Sequence, residues 1–271
     1  MINARNSYRI GGPALISFSG GRTSGYMLRH ILDAHGGRLP DDMRVCFANT
    51  GRERPETLDF VQECGERWGV KIVWLEWRDG SAGYEIVNHN SASRVGEPFS
   101  ALIAKRKLLP NPVTRFCTQE LKVRPIKKYM LAEGFEHWSN VVGIRADEPR
   151  RVARLRQSDA KQRWDNVLPL ADAGVTELDV LTWWRRQPFD LRITSAEGNC
   201  DLCYLKGAKT LLGILRERPD LARWWAEEET ARGATFRNDR PTYRRLLDMS
   251  QRQGDFGWRL DDNTMPCMCT D

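Results

Sequence analysis

A short apolar strand that runs through a glycine pair into a helix constrains this chain more than any other stretch of it. Ala14-Leu15-Ile16-Ser17-Phe18 has the length and composition of a buried strand, and Met27, Leu28, Ile31 and Leu32 repeat at helical spacing beyond it. Between the two stands Ser19-Gly20-Gly21-Arg22-Thr23-Ser24. Glycines at such a junction let backbone N–H groups approach an anion, and the helix N-terminus adds positive potential. Arg22 supplies a mobile charge, while Ser17, Ser19, Thr23 and Ser24 add hydroxyls suited to phosphate oxygens. The spacing differs from the Gly-x-x-x-x-Gly-Lys-Ser/Thr phosphate loop and from the Gly-x-Gly-x-x-Gly dinucleotide loop.

The strand and helix pattern then repeats. Residues 44–48 read as a second strand, Pro55 opens a helix carrying Leu58, Phe60, Val61 and Cys64, and residues 71–75 read as a third strand. Strands alternating with helices predict a parallel sheet. Residues 76–96 are polar and read as a long irregular loop of the kind that serves as a lid. Helices are expected over about 98–107 and 123–133, with a strand at 138–143. From Thr176-Glu177-Leu178-Asp179, which has the form of an N-terminal cap, the pattern is mainly helical through Trp183-Trp184 and over 208–218, 221–230 and 243–252. The expected organisation is an α/β domain over 1–170 and a helical, cysteine-containing region over 171–271 packing on it.

Two further segments stand where parallel strands end, the place at which open α/β sheets bind ligands. Asn49-Thr50-Gly51-Arg52-Glu53-Arg54-Pro55-Glu56-Thr57 follows the second strand, and Gly143-Ile144-Arg145-Ala146-Asp147-Glu148 follows a later one. Arg145 suits phosphate or sulfonate oxygens, and Asp147 or Glu148 would hold Mg²⁺ or fix that arginine. Arg150, Arg151, Arg154 and Arg156 follow, either as a solvated basic helix or as an anion-binding rim.

The first loop resembles the Ser-Gly-Gly-x-Asp-Ser signature of PP-loop ATP pyrophosphatases, with Arg22 at a position often Lys and Thr23 in place of Asp. The other two segments resemble the Asp-Thr-Gly…Pro-Glu-Thr and Gly-Ile-Arg-x-Asp-Glu-Ser elements of phosphoadenosine-phosphosulfate (PAPS) reductases, with Asn49 for Asp and Pro149 for Ser. The resemblance covers about residues 14–150. It implies the adenine nucleotide alpha hydrolase-like fold, an open, mostly parallel twisted sheet with helices on both faces. It also implies an adenylate ligand, ATP or PAPS/APS, held by Ser17, residues 19–24, Asn49, Thr50, Gly51, Gly143 and Arg145, with Arg22, Arg145 and Asp147 acting in catalysis.

Of seven cysteines, Cys46 on a strand and Cys64 on an apolar helix face read as core. Cys117, Cys200-Asp201-Leu202-Cys203 and Cys267-Met268-Cys269 lie in other contexts. Four thiolates from such a set would hold a tetrahedral zinc or a [4Fe–4S] cluster. Resemblance to cluster-bearing members of this fold favours iron and sulfur, with Cys117, Cys200, Cys203 and Cys267 as ligands. Reductases of this family carry a nucleophilic cysteine in Glu-Cys-Gly-x-His, which is absent here; Cys269 would be the attacking thiolate in its place.

The net charge of +6 fits an anionic ligand, a nucleotide or a nucleic-acid acceptor equally. No apolar run reaches a membrane span, and Met1 to Asn6 lack a secretory h-region, so a cytoplasmic, reducing setting is expected. The expected function is adenylation followed by sulfur transfer, or adenylylsulfate reduction, with a sulfur donor or thiol reductant as partner; self-association is left open. The rival reading is a non-catalytic nucleic-acid-binding or regulatory protein with a structural zinc.

Overall fold

The computed structural model describes residues 7–157, 161–194, 197, 198 and 200–252. Its centre is a six-stranded sheet in the order β4-β3-β2-β1-β5-β6. The strands are β1 (Ala14–Ser17), β2 (Met43–Asn49), β3 (Ile72–Trp77), β4 (Tyr84–Val87), β5 (Trp138–Val141) and β6 (Trp164–Val167). All neighbours pair in parallel except β3 and β4. β1 is central, registering Ala14 with Met43 on one side and with Ser139 on the other, and all four of its residues are buried. An uninterrupted apolar strand is what such a doubly covered position requires.

Connections from β1 run to β2 on one side, and the chain later returns to β5 on the other. The carboxyl ends of β1 and β5 therefore flank the switch point of the sheet, where a crevice opens. The glycine loop leaves β1 there and leads into α1 (Arg22–Ala34); the Gly143–Glu148 segment leaves β5 beside it. α2 (Pro55–Trp68) starts with Pro55 in its first turn and ends at Gly69, whose φ of 59° caps it in the left-handed region.

The segment over 76–96, expected to be irregular, contains β4, which pairs antiparallel to β3 from Trp74↔Val87 to Trp77↔Tyr84. Tyr84, Glu85 and Ile86 lie on a sheet edge with little burial, so backbone pairing rather than an apolar pattern defines the strand. β6 is a half-buried edge strand of the same kind. α3 (Glu97–Arg106) and α4 (Arg124–Ala132) fall where expected, and a π-helical turn, Gln119–Val123, leads into α4.

α5 (Pro149–Leu155) precedes β6; α6 (Glu177–Trp184), α7 (Ala208–Glu217), α8 (Ala222–Arg232) and α9 (Tyr243–Arg252) follow it. α6 opens with a complete capping box, Thr176 Oγ1 accepting from the Asp179 amide while Asp179 accepts from Thr176 N. One apolar cluster joins α1, α2 and the sheet to Leu170, Val180, Trp184, Phe189, Leu191 and Ile193. A second joins Phe99, Leu102 and Leu121 to residues 200–205 and to α7, α8 and α9. Cys46 and Cys64 are in the core, at 1% and 0% exposure, and burial pushes both thiols up.

The second cluster is tied to the sheet by a buried ion pair. Arg52 donates to Asp201 and lies over the Trp224 ring at 5.0 Å, and Asp201 also accepts from Trp225 Nε1 at 2.8 Å and from the Leu202 amide at 2.6 Å. Removing one partner strands the other charge out of water, which costs about 3–5 kcal/mol. Asp201→Ala is therefore expected to lower the urea-unfolding free energy by that amount and Asp201→Asn by less; equal, small losses would contradict this role.

Candidate functional site

Two cavities lie at the carboxyl end of the sheet. The first, of about 230 Å³, is lined by the glycine loop (Ser19 to Thr23), by Thr57 and Arg145, and by Glu177, Val180, Leu181, Leu191, Thr194 and Gly198. Gly20 has φ 81°, and a Cβ on it would stand 2.7 Å from Thr57 Cγ2, so only glycine lets this loop pass so close to α2. Gly21 is the N-cap of α1 and supplies no side-chain cap, leaving the amides of the first turn directed out of the helix mouth. Ser24 turns inward: its Oγ donates to Gly21 O at 3.0 Å and receives Ser19 N at 3.2 Å, which holds the loop in its curve.

Thr57 is 2% exposed, and its Oγ1 has no hydrogen-bond partner among the described residues. An orphaned buried hydroxyl costs about 1–3 kcal/mol, and Thr57 is one of the residues that line this cavity. Arg145 enters from the β5 side. Its Nη1 donates to Thr23 Oγ1 at 3.2 Å and its Nε to Asp147 Oδ1 at 3.0 Å, with Glu148 at 3.8 Å and Glu177 at 4.0 Å. Asp147 also accepts from the Glu177 amide at 2.9 Å. Burial works against its charge, but that amide and Arg145 outweigh burial and hold the Asp147 carboxyl below its ordinary value. Of the two roles expected for Asp147 and Glu148, these hydrogen bonds are those of fixing the arginine.

Arg22, expected as a mobile charge, is held. Its guanidinium makes a two-pronged pair with Asp190, at 2.8 and 2.9 Å, donates to Ile193 O at 2.8 Å and also contacts Leu191 O. Its own carbonyl accepts from Trp184 Nε1 at 2.7 Å. The physical reason is that residues 190–193 cross the mouth of α1 and offer carboxylate and carbonyl oxygens in the fork geometry a guanidinium prefers.

Ser17, Asn49, Thr50, Gly51 and Gly143 do not line the first cavity. Ser17 points to the other face of β1, donating to Asn140 Oδ1 at 3.2 Å. Asn49 is fully buried and satisfied within the protein, donating to Glu76 and to Ser93 O and accepting from Gly51 N. The loop after β2 reaches the phosphate-loop cavity only at Thr57. Its near end instead borders the second cavity, which is small and lined by Thr50, Phe99, Leu121, Lys122, Tyr204, Trp225 and the three thiols of Cys117, Cys200 and Cys203. Cys117 Sγ lies 3.2 Å from Tyr204 Oη, and Cys200 Sγ lies 3.5 Å from Thr50 Oγ1. Thiols among aromatic and aliphatic side chains are a donor set for a soft metal. Among the described residues no three Cys, His, Asp or Glu side chains stand in metal-holding geometry. Cys267 and Cys269 lie outside the described residues.

One stretch of chain serves both cavities. Thr194 and Gly198 line the first, Cys200 and Cys203 the second, and Cys200 bridges in antiparallel fashion to Glu53 while the Asp201 amide donates to Arg52 O at 2.8 Å. Sequence reading missed the wall formed by Thr57, Glu177, Val180, Leu181, Leu191 and Thr194. Only Thr57 carried a signal, as the last residue of the Pro-Glu-Thr run; the rest read as ordinary helix and loop.

The phosphoadenosine phosphosulfate reductase domain matches residues 13–192. The chain belongs to this family. Among its relatives is the uncharacterized nin region protein ORF290 of Escherichia phage lambda, 31% identical over 79% of this chain and 73% of that protein. An uncharacterized protein of Methanocaldococcus jannaschii is 28% identical over 82% of this chain, which spans only 42% of it. Solved structures of the same general type are the phosphate complex of phosphoadenylyl-sulfate reductase from Candida auris (12% identity, TM-score 0.44, covering 68% of this chain and 79% of that one) and the U34-tRNA thiolase NcsA of Methanococcus maripaludis with its [4Fe-4S] cluster (13%, 0.47, 98% and 86%). No helix among the described residues is long and apolar enough to cross a membrane.

The Thr194 end of the shared stretch is set by Glu197, which accepts from the amide and hydroxyl of Thr194, each at 2.9 Å, and from Arg54 at 3.1 Å. Burial raises its carboxyl, but those donors outweigh it and hold Glu197 below its ordinary value. A carboxylate depressed on folding contributes stability that is complete above the unfolded value, about 4.3, and is lost as pH falls through the lower folded value. The melting-temperature advantage of wild type over Glu197→Gln is expected to be full at pH 6 and to shrink below about pH 4; a gap constant with pH would contradict the assignment.

Proposed function

We propose that this family member is an enzyme that binds ATP or a related adenylate at the mouth of α1 and uses the thiols of the adjoining cavity for sulfur chemistry. The observation that carries this reading is the stretch over 194–203, which walls the phosphate-loop cavity at one end and supplies two thiols at the other. A nucleotide activated in the first cavity would be adjacent to sulfur handled in the second.

In this reading the first-turn amides of α1 and the hydroxyls of Ser19, Thr23 and Thr57 donate to phosphate oxygens. Arg145, held beside Thr23, stabilises negative charge developing on the transferred phosphoryl group. Arg22 does so after exchanging a carbonyl or carboxylate partner for a phosphate oxygen. An acceptor oxygen forms a bond to the α-phosphorus as the bond to the bridging oxygen breaks and pyrophosphate leaves; a sulfur nucleophile then displaces AMP. Reduction of an adenylylsulfate at the same site is the alternative use of the fold. Asn49 and Gly51 support the loop rather than touch the nucleotide.

Cys117, Cys200 and Cys203, with Cys267 or Cys269, would hold a [4Fe–4S] cluster, and zinc is the competing metal for the same donors. Bound there, the cluster would supply a thiophilic, redox-active centre for sulfur. Lys122, on the wall of that cavity, is paired with Glu53 at 3.6 Å. A nucleic acid is the acceptor that the net positive charge suits.

Protein purified without oxygen is expected to be brown, absorbing near 400 nm with roughly four irons per chain, and to lose that colour on Cys200→Ala; colourless protein with stoichiometric zinc would overturn the redox part. Thr57→Val removes the orphaned hydroxyl while keeping the packing against Gly20. It is expected to leave the melting temperature unchanged or higher and to weaken ATP binding about 5- to 10-fold, the equivalent of one hydrogen bond to a charged group. Unchanged affinity would contradict the assigned donor.

A further inference from the structure

The one charged side chain of the glycine loop is already met inside the protein. Arg22 lines the cavity, yet four of its five guanidinium N–H donors are taken within the chain: Nε and Nη2 by the two oxygens of Asp190 at 2.8 and 2.9 Å, Nη1 by Ile193 O at 2.8 Å, and Nη2 again by Leu191 O. Asp190 is steadied in turn by the Leu191 amide, which donates to its Oδ1 at 2.8 Å. The strap of chain that carries Asp190 has other anchors. Phe189, Leu191 and Ile193 are buried, and the Phe189 ring packs against Phe60, Trp68 and Trp184 with centroids 6.0, 5.8 and 5.5 Å away. Arg192 reaches Glu63 of α2 at 3.4 Å. Apolar side chains thus hold the strap, and two of its carbonyls hold the guanidinium. Asp190 adds only a carboxylate that is 43% exposed, and an ion pair open to water on one side is weakly held.

We infer that Asp190 is a resident competitor for Arg22: in the free protein its carboxylate occupies the guanidinium edge that a phosphate group takes in the complex, and ligand binding exchanges one for the other while the strap stays in place. The inference rests on the adenylate reading above and adds an autoinhibitory contact to it. A carboxylate and a phosphate present the same paired oxygens to a guanidinium, so the two cannot hold that edge together. The phosphate has further partners at this place, the uncapped amides at the start of α1, whereas the carboxylate has the Leu191 amide alone. Displaced, Asp190 turns into water, and Leu191 O and Ile193 O keep the guanidinium at the cavity wall. The contact therefore lowers affinity for the ligand without being needed to build the site.

Calorimetric titration of the full chain with inorganic pyrophosphate and with ATP tests this, read beside the melting temperature of each variant. Asp190→Asn is expected to bind both probes about 3- to 10-fold more tightly than wild type, the equivalent of a half-exposed ion pair removed from the competition. Asp190→Ser, which also leaves the apolar anchors of the strap untouched, is expected to show the same gain, and serves should the amide variant fold poorly. In an Arg22→Gln background the gain is expected to vanish, because competitor and phosphate no longer share a partner. A gain that survives there would reflect plain repulsion between Asp190 and phosphate and would overturn the exchange. Binding unchanged or weakened in both Asp190 variants would make Asp190 a support for Arg22 and overturn the inference with the adenylate site intact. Failure of both probes to bind any of these proteins would overturn the inference and the reading beneath it together.

Discussion

Two arginine–aspartate pairs hold one stretch of chain across the carboxyl end of the sheet, and the site exists because of them. Arg22 with Asp190 fastens residues 190–193 to the mouth of α1, and Arg52 with Asp201 fastens the Cys200–Cys203 turn to the loop after β2. The two differ in kind. Arg52 and Asp201 are almost wholly buried, so each is needed to satisfy the other, whereas Asp190 is 43% exposed and its pair is open to water and to exchange. One end of the stretch is fixed by desolvated charge and the other by a contact open to water.

From this arrangement follows the contrast between the two cavities. The glycine-loop cavity presents backbone: Gly20 in a conformation and a space that exclude any side chain, and helix amides with no side-chain cap. Its side chains are balanced or acidic. The thiol cavity is its opposite, apolar rings and aliphatic carbons around three sulfurs, with Thr50, Tyr204 and Lys122 as the polar atoms near them. The glycine-loop cavity and the thiol cavity are kept in separate surroundings a few residues apart.

Much of the fold was legible because central strands and amphipathic helices announce themselves. β1 is apolar up to Ser17 since it is covered on both faces, and the glycine pair after it has one economical explanation. β4 and β6 were not legible, since on an edge the ladder is made by backbone while Glu85 and Asp165 face water. Residues 19–23 and Arg145, read from spacing at strand ends, line one cavity, and Cys117, Cys200 and Cys203, read from composition, line another. Asn49 and Ser17, read with them, do not line the first cavity, since a polar residue at a strand end satisfies an internal neighbour as readily as a ligand: Asn49 spends its amide on Glu76, Ser93 and Gly51. The wall made by Val180, Leu181 and Leu191 had no signal, because apolar residues on a helix facing a cavity repeat at the same period as those facing a core.

The central claim is that one stretch links nucleotide and thiol. Hydrogen exchange of the full chain with and without ATP and Mg²⁺ tests it most directly, read at residues 19–25 and 194–203. The account predicts that nucleotide slows exchange in both segments together, the second through Thr194 and Gly198. Slowing confined to some other surface, or to residues 19–25 with 194–203 unaffected, would contradict it.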